Sequence, residues 1–222
     1  PDAAVTAQSI IAANGVDDAM ARQDIAETRD EIQRYHRLDI VTHHDGCYRI
    51  EGTALNQRLC LLHWLRRALR LCPQFVSHQF TPALKTALKQ LGIARPLYDD
   101  ANLRALIGFC SRKLQRQFEC RDVQFLQLYL QYCLIQHQLG NTPQFSHAQR
   151  SWTQSRGEYF TAQEIVRHWK RRVPQGAHVD EQLFLALLFM MLRTPDPVLD
   201  KHQQDQRLRR AIVRMVARFR SQ

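Results

Sequence analysis

Apolar residues recur at helical spacing through most of this chain. After Gly52, five leucines fall at successive steps of four, three, three and four residues, which places them on one stripe of an α-helix: Leu55, Leu59, Leu62, Leu65 and Leu69. Thr81-Pro82 and Gly92 predict the start and stop of another helix, because a capping hydroxyl before proline favours a first turn and glycine favours a helix end. The same periodicity predicts further helices over about 99–118, 121–139, 146–172, 179–193 and 200–220.

The first fifty or so residues have a different pattern. Thr6–Ala13 predicts a short helix ended by an Asn-Gly pair, and a second helix is predicted from Asp17 to about His36. Leu38–Val41 and Tyr48–Ile50 are short β-prone runs, and the Asp-Gly pair between them is typical of a hairpin. Helix, turn, helix and hairpin is the order of a winged helix-turn-helix that lacks its first helix.

Composition supports a mainly α fold. The 222 residues include only eight Gly and eight Pro, which is few for a loop-rich or all-β chain. The longest apolar run, Leu183–Leu192, is about half of the roughly 20 residues that cross a bilayer, so we expect no membrane partner. Near residue 1 no basic stretch is followed by an apolar run and a small-residue cleavage site, and six scattered cysteines form no Cys-x-x-Cys pair. These features predict a cytoplasmic protein with reduced thiols.

Charge divides the chain unevenly. Residues 1–52 carry five Arg and ten acidic residues, a net charge of −5, whereas residues 53–222 carry 26 basic and 11 acidic residues, a net charge of +15. An acidic N-terminal segment followed by a basic remainder affects which partners the chain attracts and how fast it meets them, rather than its fold.

Several segments share a pattern with a known regulatory family. Leu126–Gly140, then Glu158-Tyr159 followed by Ala162, then Glu181-x-x-Phe184-Leu185-Ala186 stand in order along the chain. They resemble the helices of the PRD, the phosphotransferase-system regulation domain of bacterial antiterminators and BglG-type transcriptional activators. Upstream, Val16–Ile25 and Gly46–Gly52 are similar to the winged helix that precedes the PRD in activators of this class.

The resemblance implies a domain organisation. It predicts a helical-bundle PRD preceded by an incomplete winged helix-turn-helix with a small β-hairpin. The expected segments are a winged-helix remnant, connecting helices, the PRD, and a linker helix toward an absent second PRD: 1–52, 53–95, 96–197 and 198–222. The resemblance also implies a transcriptional regulator that acts in stationary-phase control and forms a homodimer through the PRD.

Regulation in this family proceeds through histidine phosphorylation, which adds charge and acceptor oxygens to a helical interface. Aligned on Gly140, the first regulatory position is occupied by Tyr129, and aligned on Glu181 the second is occupied by Leu188. Neither side chain can be phosphorylated as an imidazole is, which argues against control by phosphotransfer proteins. His137 is a candidate alternative phosphoacceptor.

Nucleic-acid contacts have several candidates. Six arginines could contact nucleic acid from the predicted recognition helix or the next helix: Arg22, Arg29, Arg34, Arg66, Arg67 and Arg70. Between Asp17 and Arg34, however, six acids outnumber three arginines, and repulsion from phosphates opposes docking of such a helix. Two more basic groups, Arg112 to Arg116 and Arg167 to Arg172, could bind non-specifically if exposed aromatic rings accompany them. The alternative is an interaction module that has lost both DNA reading and phosphorylation control.

Other chemistries have weaker signals. His43 and His44 with their neighbours could be taken for a metal nest, but adjacent strand residues point to opposite faces, so we expect no metal and no cofactor. Cysteine and histidine stand at helical spacing at Cys60 and His63 and at Cys133 and His137, but no orienting group or phosphate-cradling glycine motif accompanies them. We therefore expect no enzyme. The segment after residue 200 predicts a basic amphipathic helix.

Overall fold

The computed structural model describes residues 5–6, 18–42, 47–171 and 178–192. Its regular elements in chain order are two-residue strand β1 (Val5–Thr6), α1 (Asp18–His36), β2 (Asp39–Thr42), β3 (Cys47–Glu51), α2 (Ala54–Leu71), the one-turn α3 (Pro73–Phe75), a π-helical turn (Val76–Phe80), α4 (Thr81–Gln90), a 3₁₀ turn (Arg95–Leu97), α5 (Asp100–Lys113), α6 (Cys120–Gln138), α7 (His147–Gln154), α8 (Gly157–Lys170) and α9 (His178–Met191). The mainly α prediction is confirmed. The described chain falls into two compact units, the first ending at Ala83 and the second beginning at Leu84.

The first unit contains the predicted hairpin, with Ile40 opposite Ile50 in an antiparallel register between β2 and β3. The prediction of a helix beginning at Thr6 is wrong at that residue, because Val5 and Thr6 instead pair with the other edge of β3. Both are β-branched residues, which fit a pleated strand better than a helix. The remainder of that predicted helix lies outside the described residues.

Helix α1 ends much as predicted, at His36. Arg37 takes the left-handed conformation that glycine usually supplies, with φ of 53°. The amide of Leu38 then donates to the carbonyl oxygen of Ile32 at 3.1 Å, and both side chains are buried. The left-handed residue and this hydrogen bond back to the last turn close the helix end, and the chain continues into β2.

Helix α2 is buried over more of its surface than one leucine stripe predicts. Thr53 caps its first turn by accepting a hydrogen bond from the amide of Asn56 at 3.1 Å. Arg58 and Arg67, expected on the polar side, are only 1% and 5% exposed, respectively, and Trp64 is also buried. Each of these two arginines has an interaction partner. Spacing alone cannot show that a cation is held inside the protein.

Helix α4 begins within a residue of the start predicted at Thr81-Pro82, but the predicted capping role of Thr81 is wrong. Thr81 is already helical, with φ of −59° and ψ of −48°, and its amide donates to the carbonyl of Val76. The helical run therefore passes through a π-helical turn into α4, where five-residue hydrogen bonding accommodates a proline that lacks an N–H. The predicted stop at Gly92 is confirmed, because Gly92 has φ of 67° and Ile93 donates back to Leu88.

The second unit is a bundle of α5 to α9. Helix α9 packs against both α7 and α8, and α5 packs against both α6 and α8. The single helix predicted over 146–172 is two helices, because Arg156 has extended backbone, with φ of −96° and ψ of 149°, and Gly157 begins α8. Helix α5 stops at Lys113, earlier than predicted. The helix predicted over 200–220 lies outside the described residues.

Within the described ranges, no helix combines the length and the apolar character that crossing a membrane requires.

Candidate functional site

The two positions assigned to regulatory histidines both lie in the core of the second unit. Tyr129 on α6 is fully buried, and its ring stacks on Phe125 at 5.1 Å between centroids. Tyr132 and Phe184 approach the same ring at 5.6 and 6.3 Å. Leu188 on α9 is also fully buried. These side chains fill space between helices, and neither faces solvent in this structure.

His137 lies near the end of α6 and is buried as well. Its Nδ1 is 3.2 Å from Oε1 of Glu181 in the first turn of α9, and both side chains have no solvent exposure. Trp169 of α8 stacks against the imidazole at 5.7 Å, and His178 meets its edge at 5.0 Å. His137 Nε2 is buried without a hydrogen-bond partner among the described residues. The imidazole thus joins three helices, and its role as a phosphoacceptor stays a prediction.

The sequence pattern identifies Glu181 only as part of the second PRD-like signature, and it does not predict the pairing of Glu181 with His137. The two residues are separated by 44 positions, and nothing in helical periodicity identifies a partner across that distance. The helix N-terminus favours a carboxylate in its first turn, which is the one signal the sequence contains.

The three arginines of α1 are exposed, as a nucleic-acid contact requires. Arg29 donates to both carboxylate oxygens of Asp39 at 2.6 and 3.2 Å, and the hydrogen bond from Arg29 is the largest cause that lowers the pKa of Asp39. Arg34 pairs with Asp30 at 3.3 Å. Two of the three candidate cations, Arg29 and Arg34, therefore already have carboxylate partners.

The candidate arginines of α2 differ from one another in their exposure to solvent. Arg70 is exposed and Arg66 is half-buried, whereas Arg67 is only 5% exposed and adjacent Trp64 is buried. As the chain is folded here, Arg67 does not present its guanidinium to a ligand. A helix that carries several arginines can face the interior with some of them.

The accessible aromatic rings are not the tryptophans that stand next to the basic groups in the sequence. Trp169, beside the second basic group, is 2% exposed, whereas Trp152, Phe160 and Phe109 are 50%, 54% and 38% exposed. The exposure of Phe160 could have been noticed from the sequence, because the buried residues of α8 recur on the opposite face, at Ala162, Ile165, Val166 and Trp169.

The cysteine candidates are poor nucleophiles. Burial is the largest cause that raises the pKa of Cys60 to about 12, and it does the same for Cys110. A buried thiol with a raised pKa is protonated at neutral pH, whereas the thiolate is the reactive form. Cys133 is fully buried.

Among the residues that the structure describes, no group of three histidine, cysteine or acidic side chains could hold a metal ion. Residues 43–46, which include the predicted histidine pair, lie outside that part of the chain.

Residues 104–191 match the family model of the PRD domain, so the helical bundle of the second unit contains a PRD domain. This match lies within the predicted segment 96–197; the exact boundaries stay predictions.

The chain is also similar to the stationary phase-inducible protein CsiE of Escherichia coli K12. The two are 61% identical over 207 residues, which are 93% of this chain and 49% of that protein. The chain thus spans about half the length of the curated relative it matches. No solved structure matches it.

Proposed function

We propose that this chain is part of a transcriptional regulator in which the first unit reads duplex DNA and the PRD responds to something other than histidine phosphorylation. The observation that carries the DNA-reading part is the exposure of Arg22, Arg29 and Arg34 on α1, directly before an antiparallel sheet. Among the described acidic side chains of α1, Asp30 is exposed, while Glu27 and Glu31 are half-buried.

The phosphorylation part rests on the positions of Tyr129 and Leu188. A phosphotransfer protein must bring its phosphate to the acceptor atom, and neither of these fully buried side chains offers an imidazole. Control by phosphotransfer proteins through these positions is therefore not part of the proposal. Two-fold association through the PRD is proposed from the family resemblance, with light scattering of the full chain as its test.

We also propose a non-enzymatic role, in keeping with the burial of both candidate nucleophiles, Cys60 and Cys133. A regulator of this kind has no need of a reactive thiol, a cofactor or a metal, and we propose none.

Duplex binding is tested by selecting from a random duplex pool with the full chain at low and moderate salt. Enrichment of a shared sequence, with affinity that falls steeply with salt, would support the regulator. A pool without preference at any salt would contradict it and support the alternative, an interaction module. That alternative is favoured by the ion pairs of Arg29 and Arg34, because each of these side chains already contacts a carboxylate.

A matched pair of variants sharpens the test. Arg29→Gln removes a cation, and we expect it to weaken duplex binding and reduce the salt slope by about 0.9 for one lost phosphate contact. Asp39→Asn keeps an oxygen acceptor for the amide of Ile40 and for Gln33 but releases Arg29, so it should strengthen binding. Arg95→Gln, at an exposed position of the second unit, is the control. If all three variants bind alike, α1 does not contact DNA.

A further inference from the structure

Two exposed aromatic rings of the second unit lie beside cations, and a third is connected to one of them. The guanidinium of Arg156 lies over the ring of Trp152 at 4.6 Å, and Nζ of Lys113 lies 5.9 Å from the ring centroid of Phe109. Nζ of Lys113 also donates to the backbone carbonyl oxygen of Phe160, whose ring is exposed, at 3.4 Å. Lys113 therefore connects Phe109 to the first turns of α8, and Arg156 is the N-cap residue of that helix.

The same part of α8 presents further cations. Exposed residues at steps of three or four positions share one stripe of this helix: Phe160, Gln163, Arg167 and Lys170. This stripe extends for about 15 Å at a rise of roughly 1.5 Å per residue. We call the stripe, together with Arg156, Trp152, Phe109 and Lys113, the aromatic-basic surface.

Acidic side chains are few around this surface. Glu164 is half-buried and pairs with Arg167 at 3.5 Å, and Asp100 stands at the opposite end of α5 beside Lys85 at 3.1 Å. Glu158 of α8 is buried. The described side chains of the surface therefore leave an excess of positive charge next to accessible rings.

We propose that the aromatic-basic surface binds single-stranded nucleic acid. Unpaired bases stack on aromatic rings regardless of sequence, while cations track the phosphates between them. Arginine adds stacking and cation–π attraction of its own. An acidic peptide would complement the charge, but it would bring no ring to stack on the exposed side chains of Phe160 and Trp152. A duplex keeps its bases stacked on each other, so the rings favour a single strand.

This surface is distinct from the proposed duplex contact, because it lies in the second unit and uses none of the arginines of α1. The inference therefore goes beyond the proposed function. Failure of one leaves the other standing, since duplex and single-strand binding are measured separately on the same full chain.

The probe is a fluorescein-labelled dT12 strand, with binding to the full chain followed by anisotropy. Phe160→Leu retains an apolar side chain but removes the ring, and we expect binding weakened roughly tenfold. Phe160→Tyr keeps the ring and should bind within about twofold of the parent chain. Because Phe160 is more than half exposed, both variants should fold, and circular dichroism checks this.

A charge variant gives a second measurement. Lys113→Gln should reduce the salt slope for dT12 by about 0.7, the value for one phosphate on a single strand. Lys89→Gln removes an equally charged, exposed side chain from the end of α4 and should leave the slope unchanged. Equal changes of the salt slope in the two variants would overturn the proposal, because they would show that binding depends on the net charge of the chain and not on this surface.

Tryptophan fluorescence reports the stacking directly. Trp64 and Trp169 are buried and Trp152 is half exposed, so a stacked base should quench Trp152 alone. Trp152→Phe should abolish the quenching while anisotropy still detects binding. Two results would overturn the inference: Phe160→Leu binding dT12 as tightly as Phe160→Tyr, or a polyglutamate peptide of equal charge displacing dT12 at equal concentration. The second result would identify a surface for acidic protein segments.

Discussion

The buried pair between His137 and Glu181 provides a sharp test of how the bundle is held together. We consider Leu substitutions, which keep a side chain of comparable size but remove the polar group. His137→Leu leaves the Glu181 carboxylate in an interior with no solvent exposure and without its imidazole neighbour. Removing one partner of a buried pair typically costs about 3–5 kcal/mol.

The position of Glu181 adjusts that range. It lies in the first turn of α9, where the helix dipole favours a carboxylate, so we expect His137→Leu at the lower end, about 3 kcal/mol. Glu181→Leu leaves an imidazole without its acceptor, which costs about 1–3 kcal/mol. The double variant removes both polar groups, and replacement of a whole buried pair by apolar residues is often nearly neutral. We therefore expect the double variant to be more stable than the sum of the single effects by at least about 1.5 kcal/mol.

Urea unfolding followed by the fluorescence of Trp169 is the assay. Trp169 stacks on His137, and a Trp64→Phe, Trp152→Phe background leaves it as the single tryptophan of the three in the chain. Gln138→Leu, at an exposed position of the same helix, is the control and should change stability by less than about 0.5 kcal/mol. Additive single effects would refute the reasoning, because they would show that the two side chains do not interact energetically.

Three further predictions concern acid sensitivity, backbone conformation and the regulatory position. Burial, followed by the charge of a neighbouring histidine, lowers the pKa of His36 from 6.5 to about 4. Between these pH values the unfolded chain binds more protons than the folded chain, so stability should fall as the pH drops from about 6.5 to about 4. His36→Gln should flatten this dependence of the melting temperature on pH. Gly52→Ala should destabilise the protein by about 1–3 kcal/mol, since Gly52 has φ of 148° and a methyl group there would collide with Leu38. Gly108 lies within α5 with φ outside the positive range, so Gly108→Ala should stabilise the protein by about 0.5–1 kcal/mol in the same denaturation series. Equal effects of the two substitutions would contradict this backbone argument. Tyr129→His introduces an imidazole but places it in a fully buried aromatic cluster. We therefore expect lower stability, and no phosphohistidine at residue 129 by mass spectrometry after incubation with phosphotransfer proteins. Phosphate found at that residue would show that the site opens to solvent.

Periodicity predicted most of the helices because burial of one face dominates their placement. Helix α6 and helix α9 match their predicted ranges within a residue or two. The break between α7 and α8 was missed, because it depends on one extended residue, Arg156, and apolar periodicity continues across it. The capping role of Thr81 was wrong for a similar local reason: the same threonine and proline fit either a first turn or the end of a π-helical turn.

The candidate site was less accessible to sequence reasoning than the fold. The resemblance identified Tyr129 and Leu188, whose burial the structure then shows. The pairing of His137 with Glu181 could not be predicted, because it joins helices across 44 positions. The exposed rings beside Arg156 and Lys113 were missed for a related reason: only three-dimensional packing distinguishes a buried indole, such as Trp64 or Trp169, from an accessible one.

The division between the two compact units has a practical consequence for anyone who wishes to prepare the PRD alone. Ala83 and Leu84, where one unit ends and the other begins, are both inside α4 rather than in a loop. Leu84 and Leu88 are buried residues of that helix, so a fragment that starts after Gly92 would lose two core side chains. Truncation at the edge of the recognised domain, near residue 104, should give a fragment prone to aggregate, and an expression clone is better begun ahead of Pro73, where the helical run starts.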